Sequence, residues 1–472
     1  MSAREAITDP AEALAAIDLP AWLVGGAVRD RLLARPTDDY DVVVDADPRE
    51  LARRLARRVS GFCFALSEGF GGWRVISRDR RWNIDLIPLA GDSIGADLAQ
   101  RDLTINAIAQ PLPDGELIDP FGGVADLRAE RLRMVSAEAF ERDPLRSLRV
   151  ARIACELGFS VDRATAAAAV RSAAGLARVA PERVFAELKR IISSERAVRG
   201  IELIDELELT PVLLPELGAL HGIEQSAYHH LDVYEHTLAV LAAAIELERD
   251  PARFLGPDAE AVAEFLSLPL ANELTRWQAL RFGALMHDIA KPRTRRVTEQ
   301  GRVTFIGHDA AGGEIAAEIL TRLRASDRLA EHVAELARNH LRLGFLVHEM
   351  PLSRRSVYRY LRDCEPVQVD VTVLSVADRL ATRGARSQEA IEKHLQLARQ
   401  LLGEALAWIA NPPRPPVRGD QLARALGIAP GPELGMILRE LEEASFAEEI
   451  DSEQAVARAR QLLRERSLRS GG

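Results

Sequence analysis

With 472 residues the chain is long enough for a sizeable core and several domains, and at 47% hydrophobic and 28% charged it has the composition of a globular protein. A net charge of −10 argues against a nonspecific nucleic-acid binder, and no apolar run approaches the roughly 20 residues that span a bilayer. Cys63, Cys155 and Cys364 are far apart and odd in number, which argues against a disulfide framework or zinc–thiolate site; with an N-terminus lacking a signal-peptide layout, a reducing cytoplasm fits.

Up to about residue 125 the pattern is mixed α/β. "AWLV", "YDVVVD", "FCFALS", "WRVIS" and "WNIDLIP" are short β-branched or aromatic runs, and "PRELARRLARRV" between them has helical periodicity. After the turn in "LIDPFGGVADL" the chain becomes helical from about Ala137, and a second helical block runs from His221 to about Leu402. "NPPRPPVRGD" is a proline-stiffened linker, followed by a small tail. Charge is uneven: Arg128–Arg199 holds 15 basic against 9 acidic residues, and all but Lys189, Lys291 and Lys393 of the 61 basic residues are arginine. Arginine's planar fork suits phosphate and base edges.

The stretch "LVGGAVRDRLLARPTDDYDVVV" carries the first chemistry. Asp39 and Asp41, two apart in a strand, would lie side by side on one face, an arrangement that is costly without a cation between them. Magnesium binds through one or two carboxylates plus substrate phosphates. Gly25 and Gly26 would let backbone approach a triphosphate, the helix after them offers its N-terminal amides, and Arg29 sits one turn into that helix. Asp85, on a later apolar strand, is a candidate third carboxylate.

"LVGGAVRDRLL…DDYDVVV", "QRDLTINAIA", "LIDPFGGVADL", "DPLRSLRVAR" and "ERVFAEL" follow one another in the order found in class II tRNA nucleotidyltransferases and bacterial poly(A) polymerases. Over residues 20 to 220 the chain resembles that family, whose head belongs to the polymerase β superfamily. The resemblance implies that Gly26 and Arg29 bind the triphosphate and that Asp39 and Asp41 are catalytic, holding magnesium that activates the primer 3′-hydroxyl and supports the leaving pyrophosphate. It implies nucleotide contacts from Arg101, Asp102 and Asn106. Asp143 and Arg146 would template the incoming base, Arg149 and Arg152 would complete the pocket, and Glu182, Arg183 and Glu187 would brace the templating helix. Asp143 and Arg146 together offer an acceptor and a donor fork suited to a cytosine edge, or to adenine after a small rearrangement. Gln100 and Arg142 depart from the family pattern, which usually has Arg and Glu there. Only Asp92 to Gly95 separate "WNIDLIPLAG" from "ADLAQRDLTINA", where many CCA-adding relatives carry a longer flexible segment. That brevity points to a CC-adding specialist.

His236, His287, Asp288, His308, His340 and Asp378 fall on or at the ends of separate predicted helices. Histidine with carboxylate suits divalent transition metals, and bundled helices can aim such ligands inward. The set resembles the HD metal-dependent phosphohydrolase superfamily, which implies nickel, manganese, cobalt or a similar ion, a phosphate-stabilising Lys291, and phosphatase or 2′,3′-cyclic phosphodiesterase activity. His229, His230, His332 and His348 are read as structural or surface residues.

The expected fold is α+β: a mixed-sheet nucleotidyltransferase head (1–136), a helical neck and body (137–220), a helical HD domain (221–402), and a linker with a small helical tail (403–472). The expected partners are the tRNA 3′ end, CTP and ATP, with no membrane and an oligomeric state left open. The resemblance implies template-independent addition of CMP and/or AMP from CTP and ATP to tRNA 3′ ends, CCA addition or CC alone given the short segment; the alternatives are an A-adding enzyme or poly(A) polymerase, and an HD hydrolase whose N-terminal half binds RNA.

Overall fold

The β-branched and aromatic runs form one six-stranded sheet: β1 (Ala21–Val24), β2 (Asp39–Val44), β3 (Phe62–Ala65), β4 (Trp73–Ile76), β5 (Asn83–Pro88) and β6 (Ala109–Pro111), ordered β3-β4-β5-β2-β1-β6. The computed structural model describes residues 7–66, 71–225, 231–382 and 387–470, and the chain divides into two units, Met1–Leu213 and Leu214–Gly472. β2 pairs with β5 in parallel and the other neighbours are antiparallel, so the sheet is mixed.

Helix α1 (Gly26–Leu32) leaves β1 directly. Helix α2 (Pro48–Arg58) starts where the Asp47 side chain accepts the Arg49 amide and Pro48 occupies the first turn, and it buries Leu51, Ala52, Leu55 and Ala56. Such a cap contributes about 1 kcal/mol. The short helix α3 (Ile94–Leu98), capped by Ser93, follows β5, and it fills the chain between the two motifs flanking it. Val24, Val43, Leu98, Ala107 and Ala109 close one core over the β1–β2 part of the sheet.

The helical region of this unit contains α4 (Leu145–Leu157) and α5 (Pro181–Ser193), packed against each other. One short departure from the all-helical expectation is the pairing of Ser160–Val161 with Arg131–Leu132. Gly158, at φ +77°, ends α4 in a left-handed cap and turns the chain back for it.

The second unit is helical. Its principal helices are α6 (Val233–Arg249), α7 (Arg276–Met286), α8 (His308–Arg322), α9 (Asp327–Asn339), α10 (Arg354–Asp363), α11 (Gln368–Ala381) and α12 (Ser387–Ala410). Capping boxes, Asp232 with Glu235 and Thr275 with Gln278, fix the starts of α6 and α7. Helix α12 runs through 402/403, so the break expected there comes instead after Ala410, where "NPPRPP" ends the helix. The tail is three helices, α13 (Gly419–Leu426), α14 (Pro432–Phe446) and α15 (Ala455–Ser470), with a core of Leu422, Leu434, Ile437 and Leu441.

Candidate active site and metal centre

Strand alternation sends Asp39 and Asp41 off the same face of β2. The parallel register sets Asp85 beside Asp41 and Asn83 beside Asp39, and the next strand sets Arg74 beside Asp85. Arg74 grips Asp85 through Nε–Oδ1 at 2.6 Å and Nη2–Oδ2 at 2.7 Å, and its Nη2 lies 3.8 Å from Asp39 Oδ1. Three carboxylates therefore share one face with a single guanidinium bonded to one of them. Burial pushes Asp41 up to about 6, with Asp39 and Asp85 pushing the same way and Arg101 pulling against them. A divalent cation on Asp39 and Asp41 relieves that cost, and an all-oxygen donor set suits magnesium.

Gly25, at φ +70°, borders this cluster. A Cβ there would lie 3.0 Å from Arg101 Nη1 and 3.2 Å from Asp41 Oδ2. The backbone of the Gly25-Gly26 turn thus lies against both the cation and the carboxylate. Arg101 is itself held by Asp97 of α3, Nη2–Oδ1 3.2 Å. Arg29 is buried rather than extended: Nε and Nη2 each lie 2.9 Å from Asp30, and Nη1 donates to Asn106 Oδ1 at 2.9 Å.

From Asn106 a chain of polar contacts leads into the helices. Asn106 donates to Asp102 Oδ1 at 3.0 Å, and Asp102 Oδ2 accepts from Arg149 Nη1 at 3.2 Å. Burial raises Asp102, but Arg149, Asn106 and the Leu103 amide outweigh it and hold the carboxyl below its usual range. Glu187 of α5 receives both Arg149 and Arg152, and Arg152 Nη1 also donates to Glu156 at 2.8 Å. Arg152 is therefore enclosed by acids. Asp143, just before α4, accepts from Arg183 Nη2 at 2.8 Å and makes no bridge to Arg146. Nε and Nη1 of Arg146 are buried without a hydrogen-bond partner, so a cationic fork stands ready for an acceptor. Glu182 is exposed in the first turn of α5.

In the second unit all six expected ligands converge. His236, His287 and Asp378 form one group and Asp288, His308 and His340 another, the ligand atoms within each lying within 4.8 Å of one another. Asp288 sits between them: its oxygens lie 3.2 Å from Nε2 of His287 and of His308, and 3.7 and 3.8 Å from those of His236 and His340. Nδ1 of His287, His308 and His340 meets the carbonyl of Ala284, Phe305 and Ala337 at 2.9, 2.7 and 2.6 Å. A neutral ring donating from Nδ1 presents an Nε2 lone pair to the centre. Nε2 of His287 and of His308 is buried with no hydrogen bond, and burial pulls His340 down to about 4. Burial disfavours charge on His287 but Asp288 outweighs it and raises the ring, so the centre calls for a cation beside Asp288, either a proton on Nε2 or a metal ion in its place. The donors fit a nitrogen- and oxygen-binding transition metal. Lys291 Nζ contacts Asp288 Oδ2 at 2.6 Å and donates to Gln225 at 2.7 Å.

His332 lies 3.3 Å from Asp370, which is gripped by Arg276, so it belongs to a separate polar contact; His348 is exposed. His229 and His230 lie outside the described residues. Sequence reading missed Arg74, Asp97 and His394. The first breaks the apolar run "WRVI" on the face of Asp85, a signal that strand alternation offers. His394 bonds Ser375, one turn from Asp378, at 3.1 Å, and only the packing of α12 on α11 brings it there.

Residues 21–90 and 76–133 match the family described as Poly A polymerase head domain, 158–220 the probable RNA and SrmB-binding site of polymerase A, and 233–383 the HD domain. The chain is 35% identical over 441 residues to the A-adding tRNA nucleotidyltransferase of Deinococcus radiodurans, covering 92% of this chain and 93% of the relative. It is 35% identical over 433 residues to the CC-adding tRNA nucleotidyltransferase of Thermus thermophilus, covering 90% and 89%. Its fold is similar to that of a Thermotoga maritima CCA-adding enzyme complexed with tRNA, at a TM-score of 0.60, 20% identity and 97% coverage of each chain.

Proposed function

This chain belongs to the tRNA nucleotidyltransferase family, and we propose that it transfers nucleoside monophosphate from CTP or ATP to the 3′ end of tRNA without a nucleic-acid template. The observation that carries this reading is the meeting of Asp39, Asp41 and the Gly25-Gly26 turn on one face of the sheet. Magnesium held by Asp39 and Asp41 would polarise the α-phosphorus and lower the pKa of the attacking hydroxyl. The protein's own part is positional. The glycine turn admits the triphosphate, Arg101 sits beside it, and Arg74 holds Asp85 next to the catalytic pair. Arg146 offers its unpaired fork to the carbonyl or ring nitrogen of a base, while Arg183 keeps Asp143 in place as the acceptor.

Within this activity the reading favoured is CC addition. Helix α3 and the Asp97–Arg101 pair leave little chain to move when the pocket changes from cytosine to adenine. The A-adding relative supports the other specialisation. The two separate on tRNA lacking its last three nucleotides, incubated with CTP, with ATP and with both. Two added residues with CTP alone, unchanged by ATP, is the expected product. One adenylate on tRNA already ending in CC, with no cytidylate added, would replace CC addition by A addition.

The six converging donors support a second activity, metal-dependent hydrolysis of terminal or 2′,3′-cyclic phosphate on RNA ends. His287→Ala abolishes that hydrolysis if the assignment holds; unchanged hydrolysis with added nickel or manganese refutes it.

A further inference from the structure

The catalytic face of the head sheet does not end at Asp85. Register carries one row from Asp41 through Asp85 and Arg74 to Phe64, and the adjoining row from Asp39 through Asn83 and Ile76 to Phe62. Residues paired across a sheet project to the same side, so Phe62 and Phe64 lie on the face of the aspartates, three strands away, about 14 Å at ordinary strand spacing. On the β1 side this face is closed by the core of Val24, Val43 and Leu98. On the β3 side the two phenylalanine side chains are left 42% and 44% exposed by the described residues.

We propose that Phe62 and Phe64 form a stacking platform for the terminal bases of the RNA whose 3′ end is extended. The proposal rests on the nucleotidyl-transfer reading and adds where the acceptor strand lies. In-line displacement puts the attacking and leaving oxygens on opposite sides of the phosphorus. With the triphosphate at the Gly25-Gly26 turn beside β1, the hydroxyl must arrive from the β5–β4–β3 side, across which these rings lie.

Charge and polarity agree with that occupant. The β4–β5 turn exposes Arg78, Arg80 and Arg81, and the Arg80 guanidinium stands 5.6 Å from the centre of the Phe62 ring. Aromatic faces flanked by arginines bind single-stranded RNA through base stacking and phosphate contact, without sequence readout. Asn83 Oδ1, in the row between Asp39 and Phe62, is buried and has no hydrogen-bond partner, which leaves an acceptor for a ribose hydroxyl.

The test uses the full chain and a tRNA ending at the nucleotide before the first cytidine to be added. Phe62→Ala and Phe64→Ala should each raise KM for this tRNA by roughly tenfold or more, as base–aromatic stacking predicts, with KM for CTP unchanged. Phe64→Trp should restore it. A 4-thiouridine at the tRNA 3′ end should crosslink to the peptide holding Phe62–Ala65. Both phenylalanines are half in water, so thermal midpoints should be unaltered. An unchanged tRNA KM in the double alanine variant overturns the platform, as does an equal loss for CTP. A change in oligomeric mass without a change in tRNA KM also overturns it and makes the face a protein contact. If the unmodified chain transfers no nucleotide, the transfer reading fails, and crosslinking then decides the platform alone: terminal thiouridine attached elsewhere refutes it.

Discussion

Asp41 in the head has two other carboxylates for neighbours and no bonded cation of its own, whereas Asp288 in the helical unit is ringed by four imidazoles and a lysine. The electrostatics follow: Asp41 is pushed up to about 6 by burial, while His287 and Lys291 overcome burial and hold Asp288 well below the usual carboxylate range. The first cluster is short of positive charge and waits for ion and substrate together. The second is enclosed by helices and supplies nearly a full coordination sphere from protein. A centre that takes its ion together with a passing triphosphate needs few protein ligands; a hydrolytic centre that would hold its ion between turnovers needs more of them and a position left for water.

The strongest way to break that contrast is Asp41→Asn, which keeps shape and removes charge. Nucleotide addition should fall by about a thousandfold or more, several kcal/mol of transition-state stabilisation, with metal content in the helical unit unaltered and, above about pH 6, a thermal midpoint that rises because the costly buried charge is gone. His287→Ala should do the reverse. Manganese or nickel at about 100 times its Kd should stabilise the unmodified protein by about 2.7 kcal/mol in thermal unfolding, and this gain should shrink in the variant while nucleotide addition stays intact.

Glu187→Gln probes the helical support of the head site. Arg149 and Arg152 both lose their shared anion, so the unfolding free energy should drop by about 1.5–3 kcal/mol, and selectivity between CTP and ATP should weaken roughly tenfold. The last prediction shows only as a pH dependence and concerns His394, which burial pulls from 6.5 to about 4. Because the unfolded chain takes up that proton first, stability should decline as pH falls from about 6.5 toward 4. In His394→Gln, denaturation midpoints followed across that window should show a shallower slope.

Much of this is legible in the sequence. Period-two alternation locates the strands, so Asp39 and Asp41 are placed on one face, and Asp85, an acid on the apolar strand "NIDLIP", is flagged as a third carboxylate. The six donors of the helical unit were named from residue type and resemblance, and they converge. What sequence could not give was pairing over distance. Arg29 seemed free to reach a phosphate, but it is turned onto Asn106, 77 residues away, because Asp30 and Asn106 offer it a buried acceptor set. Asp143 and Arg146 read as a joint acceptor and donor for a base, but nothing in their spacing shows that Arg183, 40 residues on, takes the carboxylate and leaves Nε and Nη1 of Arg146 without a partner. Register also went unread: nothing in "FCFALS" says that its phenylalanines share a face with the aspartates of β2.

The most direct measurement is anomalous scattering from manganese in crystals grown with and without CTP. The account predicts a peak in the helical unit among His236, His287, Asp288, His308, His340 and Asp378 in both, and a peak at Asp39 and Asp41 that depends on the nucleotide, with the triphosphate on the Gly25-Gly26 turn. A triphosphate bound away from that turn, or a manganese ion that leaves Asp39 and Asp41 untouched when CTP is present, would contradict it.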